Sequence, residues 1–218
     1  MNVWVTHGYP IAELKRATMQ DLAEPLIFVR HGQTEWNASL RYQGISDTQL
    51  SATGKQQAMD NAALVQRQLE DLGIDPAQMT LAASPLSRAQ QTAGIIGHEL
   101  GLTQPLTTID AFRELSMGRW EGLTSYEVKD RFYEERRSRK SDRWHFKPQG
   151  GESMADRCEI IRRGLLELAP NTVLITHCVV LRVIFALLTQ ASRESAAALE
   201  TPHVGIWCWN SAKLHRQA

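Results

Sequence analysis

Arginine and histidine stand side by side at Arg30 and His31, after the apolar run Leu26 to Val29 and directly before Gly32. A second arginine, Arg88, follows the segment "TLAAS" (80–84) closely, and a second histidine, His177, follows "TVLIT" (172–176) at once. Brought together, two guanidiniums and two imidazoles make a dense pocket for a phosphate or sulfate. Arginine forks match the oxyanion's oxygens in pairs, and they can neutralise a transferring phosphoryl group without Mg²⁺. Such chemistry also needs an acid. "FRELSMGRWEGL" (112–123) offers Glu114 and Glu121, of which Glu114 lies nearer the preceding strand end.

Residues so far apart in sequence meet only if the fold delivers them to one edge. "LIFVR" (26–30), "TLAAS" (80–84), "LTTID" (106–110) and "TVLIT" (172–176) read as buried strands, with "VGIWCWN" (204–210) as a late strand near an edge. Trp207 and Trp209 should alternate with Cys208 on its two faces. Segments of helical period lie between the strands, at 51–73, 86–100, 124–139, 152–168 and 179–190. The first opens on Ser51 as an N-cap and sets Ala58, Ala62, Val65, Leu69 and Leu72 on one face. This alternation predicts an α/β three-layer sandwich, a mainly parallel central sheet flanked by helices. Ligands of such sheets bind beyond the carboxyl ends of the strands, where Arg30, His31, Ser84 and His177 are expected. Arg88 should fall in the first turn of a helix, whose N-terminus favours anions. Residues 25–218 read as one domain and 1–24 as an N-terminal extension, with a helix across "IAELKRATMQDLA" (11–23).

Composition narrows the partners. Lys+Arg and Asp+Glu balance at 24 each in 218 residues, so no global field draws nucleic acid or an anionic membrane. No uncharged apolar run reaches the roughly 18 residues of a membrane span. Cys158, Cys178 and Cys208 are odd in number and widely spaced, which argues against a disulfide framework and fits a reducing cytoplasm. No compact ligand spacing supports a metal, and no other cofactor is expected. "TGKQQA" is no P-loop, since Gln49 and Gln56 stand where glycine and Ser or Thr are required. His7, His98, His145, His203 and His215 are assigned to helices, loops or tails, outside the site, although His203 precedes the last strand and so has a route to the pocket. The run Lys129 to Lys147 holds eight Lys/Arg against four Asp/Glu. It reads first as a solvated helical face, with a lid over an anionic substrate, built on Arg136, Arg137 and Arg139, as the alternative.

In order along the chain, "RHGQTEWN", "YQGISDTQLSATGKQQA", "SPLSRAQQTA", "RELSMGRWEGL", "PQGGES" and "TVLITHCVVLR" resemble the histidine phosphatase superfamily, also called the phosphoglycerate mutase-like family. The resemblance implies that fold and a nucleophilic His31 that becomes phosphohistidine. It implies that Arg30, Arg88 and His177 hold phosphoryl oxygens and that Glu114 donates the leaving-group proton. It further implies that Thr34, Asn37, Gln43 and Gly44 line the substrate pocket. The expected activity is that of a metal-independent phosphomonoesterase of the cytoplasm, a histidine acid phosphatase type acting on a small phosphorylated metabolite. A homodimer stays open.

Four features depart from the family pattern. Cys178 stands where glycine usually follows the second histidine, and Met117 stands where the mutases carry a further glutamate. Trp120 replaces their tyrosine, and only Thr124 to Gln149 is available where they have a longer insertion. The three differences from the mutases favour a phosphatase over phosphoglycerate mutase-type phosphoryl transfer, because a mutase must keep its phosphoenzyme from water. A non-catalytic phospho-ligand binding module is the reading from another class.

Overall fold

The computed structural model describes residues 18–218. Six strands form one sheet: β1 (Leu26–Arg30), β2 (Thr80–Ala83), β3 (Thr107–Thr108), β4 (Thr172–Thr176), β5 (Ile206–Asn210) and β6 (Lys213–Gln217). Their order is β3-β2-β4-β1-β5-β6, parallel from β3 to β1 and antiparallel at β5 and β6. The helices are α1 (Glu35–Ala38), α2 (Ala52–Leu72), α3 (Ser87–Glu99), α4 (Ser125–Arg131), α5 (Tyr133–Ser141), α6 (Met154–Leu166), α7 (Cys178–Thr189) and α8 (Arg193–Ala198).

The period-2 geometry of a strand sends alternate residues to opposite faces, which divides the core in two. Leu26, Phe28, Leu174, Trp207 and Trp209 pack with Ile161 and Leu165 of α6 and Val180, Leu181 and Ile184 of α7. Ile27, Val29, Val173, Ile175 and Cys208 pack with Ala62, Val65 and Leu69 of α2 and Ala93 and Ile96 of α3. The three-layer sandwich with a mainly parallel sheet is thus the architecture, and Cys208 does oppose its flanking tryptophans.

Four elements differ from the sequence reading. β3 is cut to two residues because the chain turns into a 3₁₀ turn at Asp110–Phe112. The helix expected over 124–139 breaks at Phe132, whose φ of −135° and ψ of 47° are not helical, and resumes as α5. β6 was not expected at all: "KLHRQ" is largely exposed and lacks an apolar alternation. Its turn is formed by Ser211 and Ala212, both at positive φ without glycine or asparagine, and their N–H groups are held at 2.6 and 2.9 Å by the Glu24 carboxylate. The helix expected over 11–23 lies largely outside the described residues, and within them Met19–Asp21 form a single 3₁₀ turn capped by Thr18.

One backbone contact joins the first strand's exit to α2. A Cβ on Gly32 would strike the Gly54 carbonyl, and a Cβ on Gly54 would strike the Gln33 carbonyl. Both obstacles are main chain, so neither can step aside. Gly54→Ala should therefore destabilise the fold by at least about 2 kcal/mol and lower Tm by several degrees. Calorimetry of this variant checks it, and an unchanged Tm refutes the contact.

Candidate active site

The floor of the site is built from strand ends. Arg30 closes β1, and the next residue, His31, donates its backbone N–H to Thr176 O at 3.0 Å, continuing the β1–β4 ladder. His177 caps α7 one residue beyond β4, and Ser84 follows β2. The two imidazoles consequently lie 5.0 Å apart, centre to centre, tilted by 57°. Both are buried, at 3% and 0% exposure. Arg88, in the first turn of α3, is 1% exposed. Glu114 joins them because Thr176 Oγ1 donates to Phe112 O at 2.9 Å, which ties the loop after β3 to the end of β4.

Each ring has an assignable proton. His31 Nδ1 lies 2.7 Å from Gly32 O. A carbonyl can only accept, so Nδ1 carries the hydrogen and Nε2 keeps its lone pair. Burial depresses the His31 pKa well below the usual value, and His177, Arg88 and Arg30 add to that by like-charge repulsion, so the ring is neutral at pH 7. Burial, then Arg88 and Arg30, likewise depresses His177. Its Nε2 lies 2.6 Å from Ser84 Oγ, while Nδ1 is buried without a protein partner.

Arg88 donates from Nη2 to Gly44 O at 2.7 Å and from Nη1 to Ser46 O at 2.9 Å. Burial pulls its pKa down to about 10, against the attraction of Glu114, Asp47 and Glu121, and it stays a cation at neutral pH. Arg30 donates from Nη1 to Thr201 O at 2.6 Å. The Nε atoms of both arginines are buried without a partner. Glu114 is 5% exposed and accepts from Leu115 N at 3.1 Å and Val179 N at 3.3 Å. Desolvation raises its pKa more strongly than Arg88 lowers it.

The remaining expected pocket residues form a neighbouring polar ring. Thr34 caps α1, and its Oγ1 donates to Gln43 Oε1 at 3.0 Å, as does Asn37 Nδ2 at 3.2 Å. Gln43 Nε2 reaches Thr48 Oγ1. Gly44 is the ring's link to Arg88. A Cβ there would meet the Glu121 carboxylate. Glu121, the acid set aside in favour of Glu114, accepts from Ile45 N at 3.1 Å, Ser46 N at 2.8 Å and Met117 N at 3.0 Å. It thereby fixes the loop whose carbonyls hold Arg88.

One residue was placed outside the site and belongs beside it. His203 Nδ1 donates to His31 O at 2.8 Å, and the two rings lie 5.7 Å apart. The segment is clamped from behind, where Asn61 Nδ2 donates to His203 O at 2.7 Å and Asn61 Oδ1 accepts from Gly205 N at 2.9 Å. The one available signal was its position just ahead of β5, which is antiparallel to β1 and so starts where β1 ends. We expect His203→Ala to lower kcat about 5- to 10-fold through loss of this bond. His203→Asn, whose amide can replace the Nδ1–H, should recover most of it. Equal losses in the two variants would refute a positioning role.

Residues 26–213 match the histidine phosphatase superfamily (branch 1), and the chain belongs to that family. Glucosyl-3-phosphoglycerate phosphatase of Mycolicibacterium vanbaalenii is 38% identical over 133 residues, 60% of this chain and 53% of that protein, so the match spans about half of this relative. Phosphoglycerate mutase-like protein 4 of Arabidopsis thaliana is 33% identical over 187 residues, covering 83% of this chain and 77% of that one. Phosphoserine phosphatase 1 of Hydrogenobacter thermophilus is 32% identical over 173 residues, 75% of each. A solved structure of a mycobacterial glucosyl-3-phosphoglycerate phosphatase with VO3 superposes with a TM-score of 0.73 at 27% identity, covering 85% of this chain and 92% of that one.

Proposed function

We propose that the protein is a phosphatase of this family, a phosphoric monoester hydrolase that works without metal through a phosphohistidine on His31. Phosphatase-named relatives at up to 38% identity support the class. The observation that carries the mechanism is the buried, neutral His31, its Nδ1 proton committed to Gly32 O, set among Arg30, Arg88 and His177. Nε2 attacks phosphorus as the ester P–O bond breaks, and Arg30 and Arg88 draw off the charge on the phosphoryl oxygens. Ser84 Oγ accepts from Leu86 N at 3.3 Å, so its own hydrogen is free for His177 Nε2. His177 then presents Nδ1–H to a phosphoryl oxygen. Glu114, whose pKa burial raises, gives its proton to the departing alkoxide. As a carboxylate it then takes a proton from the water that attacks phosphorus and breaks the P–N bond, which releases phosphate and restores the acid.

The substrate is proposed to be a small phosphorylated metabolite held also by Thr34, Asn37, Gln43 and Gly44. Cytoplasmic location is proposed from three free cysteines in the described chain, in which no helix is long and apolar enough to cross a membrane. The test is phosphate release from a panel of monoesters in EDTA, with His31→Ala as control. Activity that EDTA abolishes would overturn the mechanism.

A further inference from the structure

Beside the phosphate floor lies a group of guanidiniums that the reaction above does not use. α5 is held against the loop below it by Glu135, which accepts from Trp120 Nε1 at 2.7 Å and from Arg119 Nη2 at 2.5 Å. Residues four apart share a helical face, so Arg139 is presented on the side that Glu135 anchors. Its guanidinium carbon lies 5.7 Å from the centre of the Tyr42 ring. Tyr42 packs on Trp120 at 5.1 Å and directly precedes Gln43 of the polar ring.

Two more arginines arrive from other elements. Arg143 Nη1 donates to Ala197 O at 3.5 Å and Arg182 Nε to Leu199 O at 3.0 Å, so both meet the C-terminal end of α8. Arg182 is also one turn along α7 from Cys178, the neighbour of His177. Arg139 feels all of these: burial lowers its pKa most, Arg143 and Arg182 lower it further, and Tyr42 and Cys178 oppose. Among the described residues, no carboxylate forms an ion pair with Arg139, Arg143 or Arg182, although Arg113, Arg119, Arg137 and Arg163 each have one. Converging cations without a counter-charge attract an anion, and guanidiniums suit a carboxylate or phosphate.

We infer that Arg139, Arg143 and Arg182 form a second anion subsite, so that the preferred substrate is a phosphomonoester with a further carboxylate or phosphate on its far side. The ester phosphate is placed by the phosphatase reading, on which this inference rests. From the sequence, Arg136, Arg137 and Arg139 read first as a solvated helical face and only as the alternative as a lid. Arg137 instead pairs with Glu134 at the exposed surface, and its place is taken by Arg143 and Arg182.

The test compares 3-phosphoglycerate, fructose 1,6-bisphosphate and glycerol 3-phosphate, whose tails carry a carboxylate, a phosphate and no charge. At least one anionic tail should exceed glycerol 3-phosphate in kcat/KM by about 10-fold or more, and the better of the two names the group recognised. Arg139→Met should lower kcat/KM for that substrate by about 30-fold, chiefly through KM, and for glycerol 3-phosphate by less than about 3-fold. Arg139→Lys should retain the larger part of the preference. Equal kcat/KM for all three substrates, or an equal loss on all three in Arg139→Met, overturns the subsite. Should no substrate turn over, the phosphatase reading fails instead, and thermal shift with the same compounds still decides the subsite. A larger stabilisation by an anionic tail that disappears in Arg139→Met supports it, and indifference to the tail overturns it.

Discussion

His31→Ala abolishes turnover, by about 10⁴-fold or more, and with it any acid-labile phosphate trapped on the protein when the reaction is quenched in alkali. The size follows from position. Of the imidazoles that neighbour His31, His177 has its Nε2 engaged by Ser84, and His203, whose Nδ1 donates to His31 O, is only half-buried. The variant leaves Arg30, Arg88 and His177 in place, so it should still bind inorganic phosphate. Loss of phosphate binding together with turnover would point to collapse of the pocket. Rapid turnover in the variant would exclude the phosphohistidine route.

Glu114→Gln should slow hydrolysis of an alkyl phosphate by about 10³-fold, and of p-nitrophenyl phosphate by less than about 10-fold, because nitrophenolate leaves without a proton. The pH profile supplies the sign. His31 must be neutral and its pKa is depressed, so activity is lost only as pH falls well below the usual imidazole range. Glu114 must be protonated and its pKa is raised, so activity on alkyl esters declines as pH climbs through that raised value. In Glu114→Gln the alkaline limb should vanish and the acid limb remain. An alkaline limb that persists unchanged would assign the donor role elsewhere.

Much of this arrangement was legible because it depends on local signals. Apolar runs ending in Arg30–His31 and His177 mark buried strands that stop at a polar edge, and parallel pairing puts those stops side by side. Ser51 was readable as a cap because its side chain can do little else at a helix start, and it accepts from Gly54 N. His203 was only faintly readable from its place ahead of the last strand, because its contact with His31 spans most of the chain and follows from antiparallel addition of β5 to β1. Glu114 was separable from Glu121 by its nearness to the strand end, but the backbone N–H groups that Glu121 holds show only in three dimensions. β6 escaped because its turn takes positive φ at Ser211 and Ala212, residues that carry no such signature. Phe132 breaks a helix that propensity alone would continue, and the Arg119 guanidinium sits 4.1 Å from the centre of its ring.

The loop carrying Glu114 and the segment before α6 are bonded to each other where the stretch holding α4 and α5 begins and ends. Glu152 N donates to Ser116 O at 2.8 Å and Arg119 N to Gln149 O at 3.1 Å. The chain between therefore departs from and returns to a single point, as an excursion closed at its base. Lengthening a closed loop is cheap, roughly 0.6 kcal/mol for each doubling. α4 and α5 can thus be extended, shortened or exchanged over evolutionary time while the strand ends beneath keep their geometry. Selectivity and chemistry are free to diverge at different rates within one chain.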